Sequence, residues 1–219
     1  MNTLQAIKAR HSVRRYTDQV IEEEKRIALD QLAEEINEES GLHIRIQYDD
    51  LEGFDSRLAH YGKFHNVRNY IILAGDKDED IDEKCGYYGE KMVLEAQKLG
   101  LNTCWTALTF NKKMVKKLLQ ENEKLCMVIA LGYGETQGVP SKSKKLEAVV
   151  VTEGNMPVWF RAGAEAALLA PTAMNQQKFK LGMKGGRPAI VISGRGFYTK
   201  VDLGIVKYHF EEVSGYKVK

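Results

Sequence analysis

The sequence predicts a mixed α/β protein, and three observations carry that expectation. Residues 70–75 (Tyr-Ile-Ile-Leu-Ala-Gly) and 126–134 are continuous apolar runs, the pattern of strands covered on both faces. Residues 86–99 between them keep a helical period, with Tyr88, Met92, Val93, Ala96 and Leu99 on one side and Gly100 as the stop. With a third strand at 103–108 and a short basic helix at 112–120, the order strand, helix, strand, helix, strand implies at least part of a mixed sheet covered by helices.

The other elements follow in chain order. A short helical pattern at 3–8 precedes a basic segment. A helix then starts near Ile21 with acids in its first turn, carries Ile21, Ile27, Leu29, Leu32, Ala33 and Ile36 towards one side, and stops at Gly41. Residues 42–48 alternate as a half-buried strand. The weaker pattern at 49–63 is a loop with a short helix, and 76–82 is an acidic surface loop. A polar, basic break spans 138–145. Beyond it come a short strand at 146–152, a cap and proline helix start at Asn155-Met156-Pro157, and a helix over 159–169 ended by Pro171. Strands at 179–181 and 188–194 and a helix at 201–213, carrying Leu203, Val206, Phe210 and Val213, close the chain.

Composition narrows the function. With 219 residues, 43% hydrophobic and 28% charged, the chain has the balance of an ordinary soluble protein. A net charge of +2 predicts no strong pull towards nucleic acid or anionic membrane. No apolar run has signal-peptide or transmembrane character. Three scattered cysteines, Cys85, Cys104 and Cys126, argue against a disulfide framework or zinc cluster and for a reducing, cytoplasmic setting. The five histidines lack metal-ligand spacing.

Two stretches carry chemistry. Residues 10–16 (Arg-His-Ser-Val-Arg-Arg-Tyr) bring three guanidiniums, an imidazole and a hydroxyl together. A phosphate needs such converging donors, and in an extended segment Arg10, Ser12 and Arg14 point one way while Val13 and Arg15 point the other. Residues 170–177 (Ala-Pro-Thr-Ala-Met-Asn-Gln-Gln) place side-chain amides after a helix end, where their donors and acceptors suit the edge of a heterocycle.

Residues 9–16, "ARHSVRRY", resemble the N-terminal signature of the nitroreductase family of FMN-dependent oxidoreductases. The resemblance assigns Arg10, Ser12 and Arg14, with His11 among them, to the flavin phosphate. Residues 170–177 resemble the family's ring-contacting proline–asparagine–glutamine motif, which assigns Pro171, Thr172, Ala173, Asn175 and Gln177, with Phe179 at a common aromatic position. Residues 86–108 are similar to the family's core helix and following strand, whose end passes the flavin at Thr106, Ala107 and Leu108. Asn102 stands there in place of a usual glycine and is expected to tolerate a left-handed conformation. Cys104 reads as a buried small hydrophobe. Lys142-Ser143-Lys144 is similar to the family's C-terminal phosphate clamp, with Lys142 and Lys144 at its basic positions; with the early segment it would complete a cradle from two distant stretches.

The motif order is rearranged, because the proline–asparagine–glutamine motif normally follows the Arg-Ser-Arg segment closely. The stretches 69–96 and 188–213 share an outline in which Gly86 matches Gly204. The resemblance thus implies a divergent, nitroreductase-like fold: α+β, a central mostly antiparallel sheet flanked by helices, in a single domain over 1–219. Two pseudo-repeats, 1–140 and 155–219, can be drawn within it, joined by a basic linker. It further implies FMN as cofactor, NAD(P)H as donor and a small acceptor such as a nitroaromatic or quinone, with no catalytic acid or nucleophile assigned. An oxygen-dependent flavin-cleaving (BluB-like) enzyme and a non-catalytic flavin-binding protein are the alternatives. The assembly is either the family's homodimer or a monomer that mimics one.

Overall fold

A four-stranded antiparallel sheet is built where the two apolar runs sit side by side. The computed structural model describes residues 1–151 and 156–218. Strand β1 is Arg45–Gln47, β2 Asn69–Asp76, β3 Asn102–Thr106 and β4 Glu123–Gly132, in the order β1-β2-β4-β3. Ile71 pairs with Ile129 and Ile72 with Val128 at the centre. This sheet belongs to the larger of two compact units, Arg10–Ile81 with Met92–Pro140. Its core gathers Val13, Tyr16, Phe54, Phe64, Tyr70, Cys104 and Phe110, with the Phe54 and Phe64 rings edge to face at 5.0 Å.

The strand expected over 42–48 is three residues long. Leu42 keeps a single bridge to Gly75, and the Asn37 side chain takes both the amide and the carbonyl of Ile44 at 2.7 and 2.9 Å, replacing ladder bonds. Asn37 lies on α2 (Glu23–Ser40), which buries Leu29, Ala33 and Ile36 and closes at Gly41 with φ 70°. Ile27, expected on the apolar side, is exposed: it precedes Leu29 by two residues, about 200° round the helix from it. Ile21 is buried ahead of the helix. Glu123, at the start of β4, is a buried carboxylate held by the Arg45 guanidinium, by His43 at 2.6 Å and by the Gln120 amide at 2.8 Å. Burial would raise its pKa, but these donors outweigh burial and hold it at about 2.

The short helices of this unit are α3 (Arg57–Tyr61), capped by the Ser56 side chain, and α5 (Lys112–Lys116), capped by Asn111 and shorter than the stretch 112–120 predicts. Helix α4 (Ile81–Lys98) starts earlier than expected, drawing Asp82 of the acidic loop and Glu83 after it into its first turn.

The smaller unit comprises Met1–Ala9, Asp82–Lys91 and Ser141–Lys219. It holds α1 (Thr3–Ala9), the first half of α4, α6 (Val158–Ala167) and α7 (Thr199–Ser214). Its sheet has the order β5-β6-β7: β5 (Val150–Val151) runs parallel to β6 (Phe179–Lys184), and β6 antiparallel to β7 (Arg187–Ile192). Gly185 and Gly186, both at positive φ, make the two-residue turn between β6 and β7. Where a strand is expected from 146, a 3-10 turn at Leu146–Ala148 comes first. Thr152 and the predicted cap Asn155 lie outside the described residues, and Pro157 occupies the N-cap position rather than the first helical turn.

Helix packing in this unit depends on three glycines. A Cβ on Gly86 would fall on the Val201 carbonyl, and one on Gly204 on the Glu83 carbonyl, so α4 and α7 cross with each backbone against the other. Gly163 of α6 instead makes room for side chains of α7, the Phe210 ring and the Ser214 Cβ. Beside the crossing, His209 and Glu90 are fully buried partners at 2.9 Å. His209 Nδ1 donates to the Ala166 carbonyl, which fixes the proton on that nitrogen.

Candidate functional site

Residues 10–16 leave α1 as an extended strip laid into the larger unit. Val13 donates its amide to the Thr103 carbonyl of β3 at 3.0 Å, and Ser12 bridges Thr103 in parallel. His65 donates to the Arg14 carbonyl and Glu135 to the Arg15 carbonyl, both at 2.9 Å. Val13 and Tyr16 enter the core, and the Tyr16 hydroxyl donates back to the Val13 carbonyl at 2.7 Å. Arg15, on the same side as Val13, reaches the rim and pairs with Glu135 at 2.7 Å.

Arg10, Ser12 and Arg14 alternate with His11 and Val13 along the strip, and all three act on the buried Cys104 thiol of β3. Burial raises the thiol's pKa, opposed by the Arg14 charge, a Ser12 hydrogen bond and the Arg10 charge. Arg10 is 7% exposed, whereas Ser12 and Arg14 face outward. The Arg14 guanidinium lies 6.0 Å from the Phe64 ring centre and has no carboxylate partner among the described residues. The His11 imidazole has a lowered pKa, from burial first and the Arg10 charge second. The loop after β4 closes over this strip because Gly138, at φ 74°, leaves room for the His11 Cβ, and Gly134 for Val13. Asn102 secures that loop by accepting from the Gly134 amide at 2.9 Å and donating to Gln137 at 3.0 Å. The tolerance of Asn for a left-handed conformation is not used at Asn102, which is a strand residue; Gly100 carries the positive φ, 81°.

At the end of β3, the Thr106 hydroxyl is engaged with Thr109 at 2.6 Å. The backbone amides of Ala107 and Leu108 donate to no group among the described residues, and the Leu108 side chain is exposed. These two amides are open donors.

The remaining predicted residues lie in the smaller unit, knotted together. Lys144 donates its amide to Gln177 Oε1 at 2.7 Å, and its ammonium caps the Gln176 and Gln177 carbonyls at 2.9 and 2.7 Å. Gln177 Nε2 donates to the Leu168 carbonyl and to Asn175 Oδ1; Asn175 Nδ2 donates to the Lys142 carbonyl at 2.7 Å. Gln177 is 2% exposed, so its amide positions the turn instead of facing outward. The Lys144 ammonium likewise closes the turn, leaving the exposed Lys142 ammonium without a partner among the described residues. Pro171, Thr172 and Ala173 lead into the turn, with Thr172 Oγ1 accepting from the Gln177 amide at 3.0 Å.

The sequence does not single out Asp202, and it gives Gln176 only as one amide of the 170–177 stretch. Asp202 accepts from the Ala173 amide at 2.8 Å and from Gln176 Nε2 at 2.7 Å. Burial raises its carboxyl to about 6 against the pull of those two donors. An acid in the first turn of the predicted last helix was the available signal. Among the described residues, no group of three or more acidic, histidine or cysteine side chains is placed to hold a metal, and no helix is long and apolar enough to cross a membrane.

No curated protein matches the chain. Three solved structures, all named as putative nitroreductases, share its fold. One from Thermotoga maritima is 23% identical, covers 97% of this chain and 83% of its own, and superposes with a TM-score of 0.71. One from Desulfovibrio desulfuricans, solved in complex with FMN, is 22% identical over 71% and 98% of the two chains, with a TM-score of 0.54. The third, from Bacteroides thetaiotaomicron and named an NADH dehydrogenase/NAD(P)H nitroreductase, is 25% identical over 67% and 95%, with a TM-score of 0.54. A family profile described as "Putative TM nitroreductase" matches residues 2–214, nearly the whole length, and the chain belongs to that nitroreductase family.

Proposed function

We propose that this protein is an FMN-dependent oxidoreductase that passes electrons from NAD(P)H to a small acceptor such as a nitroaromatic or quinone. The observation that carries the reading is the make-up of the strip: Val13 and Tyr16 anchor it in the core, Ser12 and Arg14 are exposed on it, and Arg10 is buried at its start. Two guanidiniums and a hydroxyl, one guanidinium exposed and lacking a carboxylate partner, fit a phosphate monoester. The FMN bound in the Desulfovibrio relative supports the same reading. FMN supplies the redox chemistry when bound; the chain binds and orients it. In the larger unit, the open amides of Ala107 and Leu108 are suited to a heterocycle nitrogen or carbonyl. In the smaller unit, the turn at 171–177 is read separately as a polar edge for a heterocycle, with Gln177 and Lys144 holding its shape.

Steady-state NAD(P)H oxidation, with and without a nitroaromatic or quinone, tests this. Rapid acceptor-dependent turnover is the expected result. Oxygen-dependent loss of the flavin itself would replace it with the flavin-cleaving reading, and neither result would leave a flavin-binding protein.

A further inference from the structure

The turn at 171–177 holds an unusual backbone. Met174, Asn175 and Gln177 all take positive φ, at 52°, 53° and 45°, and Tyr198 at the entry to α7 does so at 56°. Such conformations are strained, persist only when the surroundings impose them, and cluster where ligands are clamped. Met174 is nonetheless 91% exposed, so packing of its own side chain does not impose its conformation.

What imposes it are two anchors on either side of the turn. One is Gln177, tied to Lys144 and Leu168. The other is Asp202 on α7, whose two oxygens receive the Ala173 amide and the Gln176 side chain. Gln176 Nε2 also donates to the Phe197 carbonyl at 2.8 Å, and the absence of a side chain at Gly196 makes room for Gln176 Oε1. Asp202 thus fastens the turn directly and, through Gln176, the loop before α7.

We propose that Asp202 is the positioning residue of this turn, and that its carboxylate form is required to hold the turn in its ligand-ready shape. This inference rests on the proposed flavin function for what the turn does, but not for how it is held. Both groups that meet Asp202 are N–H donors, so a protonated carboxyl would turn a hydroxyl hydrogen towards a donor and lose one of the two bonds. The charged groups on the elements packed here are Lys144, Lys178, Arg195, Lys200, Lys207 and Glu83; the Lys144 ammonium is occupied by the Gln176 and Gln177 carbonyls, Lys178 by the Arg195 carbonyl and Lys207 by Glu83, and among the described residues no other carboxylate accepts from the two donors. Burial brings the carboxyl into the range of mild acid, so protonation and loss of the bond occur as pH falls through about 6.

The test is an NMR titration of the Ala173 amide in the wild-type protein and in Asp202→Asn, together with FMN affinity at pH 7.5 and pH 5. The Ala173 amide is expected to titrate with a midpoint near 6 in the wild type and to lose that transition in D202N. FMN affinity is expected to be about fivefold weaker in D202N than in the wild type at pH 7.5, the loss of one hydrogen bond, with the gap closing at pH 5. The FMN phosphate titrates in the same range, so the difference between the two proteins is read, not either profile alone. An Ala173 amide with no transition between pH 5 and 7, or wild-type and D202N affinities that stay equal at pH 7.5, would overturn the assignment. A wild-type protein that binds no FMN at either pH would instead remove the flavin reading, and the Ala173 titration would still decide the role of Asp202.

Discussion

Gly204→Ala lowers the melting temperature, even though alanine is the better helix former. In an exposed helix the change would gain about 1 kcal/mol. Here the added methyl falls on the Glu83 carbonyl and 2.6 Å from the Tyr87 amide nitrogen, both backbone atoms that no rotamer change can move aside. α4 and α7 would have to separate, giving up contact at the fully buried Glu90–His209 pair beside the crossing. Overpacking of this kind costs about 1–3 kcal/mol and sometimes more. At the upper end of that range, the net loss of about 2 kcal/mol lowers the melting temperature by about 4–8 °C in a chain of this size. Gly86→Ala should behave alike, since its methyl meets the Val201 carbonyl reciprocally. Circular-dichroism melting of both variants checks this, and a melting temperature equal to or above that of the wild type would show that the crossing has slack.

Replacing Arg14 with Ala weakens FMN binding by about ten- to a hundredfold, the loss of a charge-assisted hydrogen bond of roughly 1.5–3 kcal/mol. Arg14 is the cleaner of the two arginine tests, being exposed, with a single ring contact to lose. Arg10→Ala should lower affinity by a similar factor, but it also empties a buried position and so needs a melting control. Fluorescence titration with FMN measures both. Unchanged affinity in the two variants would remove the phosphate from this strip.

The parts of the fold that sequence made legible are those written in local pattern. β2 and β4 were plain because a strand covered on both faces needs an unbroken apolar run, and α7 because Leu203, Val206 and Phe210 keep a helical period. The alternation of exposed Ser12 and Arg14 about buried Val13 was legible for the same reason, since an extended chain has a period of two, whereas the burial of Arg10 and Tyr16 was not. What stayed hidden depended on partners far along the chain. β1 is short because Asn37 takes the Ile44 backbone, and Asn102 is needed for a loop more than thirty residues later. Gln177 and Lys144 read as outward-facing groups in sequence, yet they spend their hydrogen bonds on each other and on nearby carbonyls. Asp202 carried only the generic signal of an acid at a helix start. Polar residues of these types serve equally well as ligand contacts or as turn anchors, and only the folded partner distinguishes the two uses.

The measurement closest to the central claim is an absorption spectrum of the purified protein, followed by identification of any chromophore released on denaturation. Flavin bands in the blue and near-ultraviolet with release of FMN, or the same bands after incubation with added FMN, are the expected result. A colourless protein that also fails to take up added FMN would contradict it, and Arg10, Ser12 and Arg14 would then require a different anionic ligand.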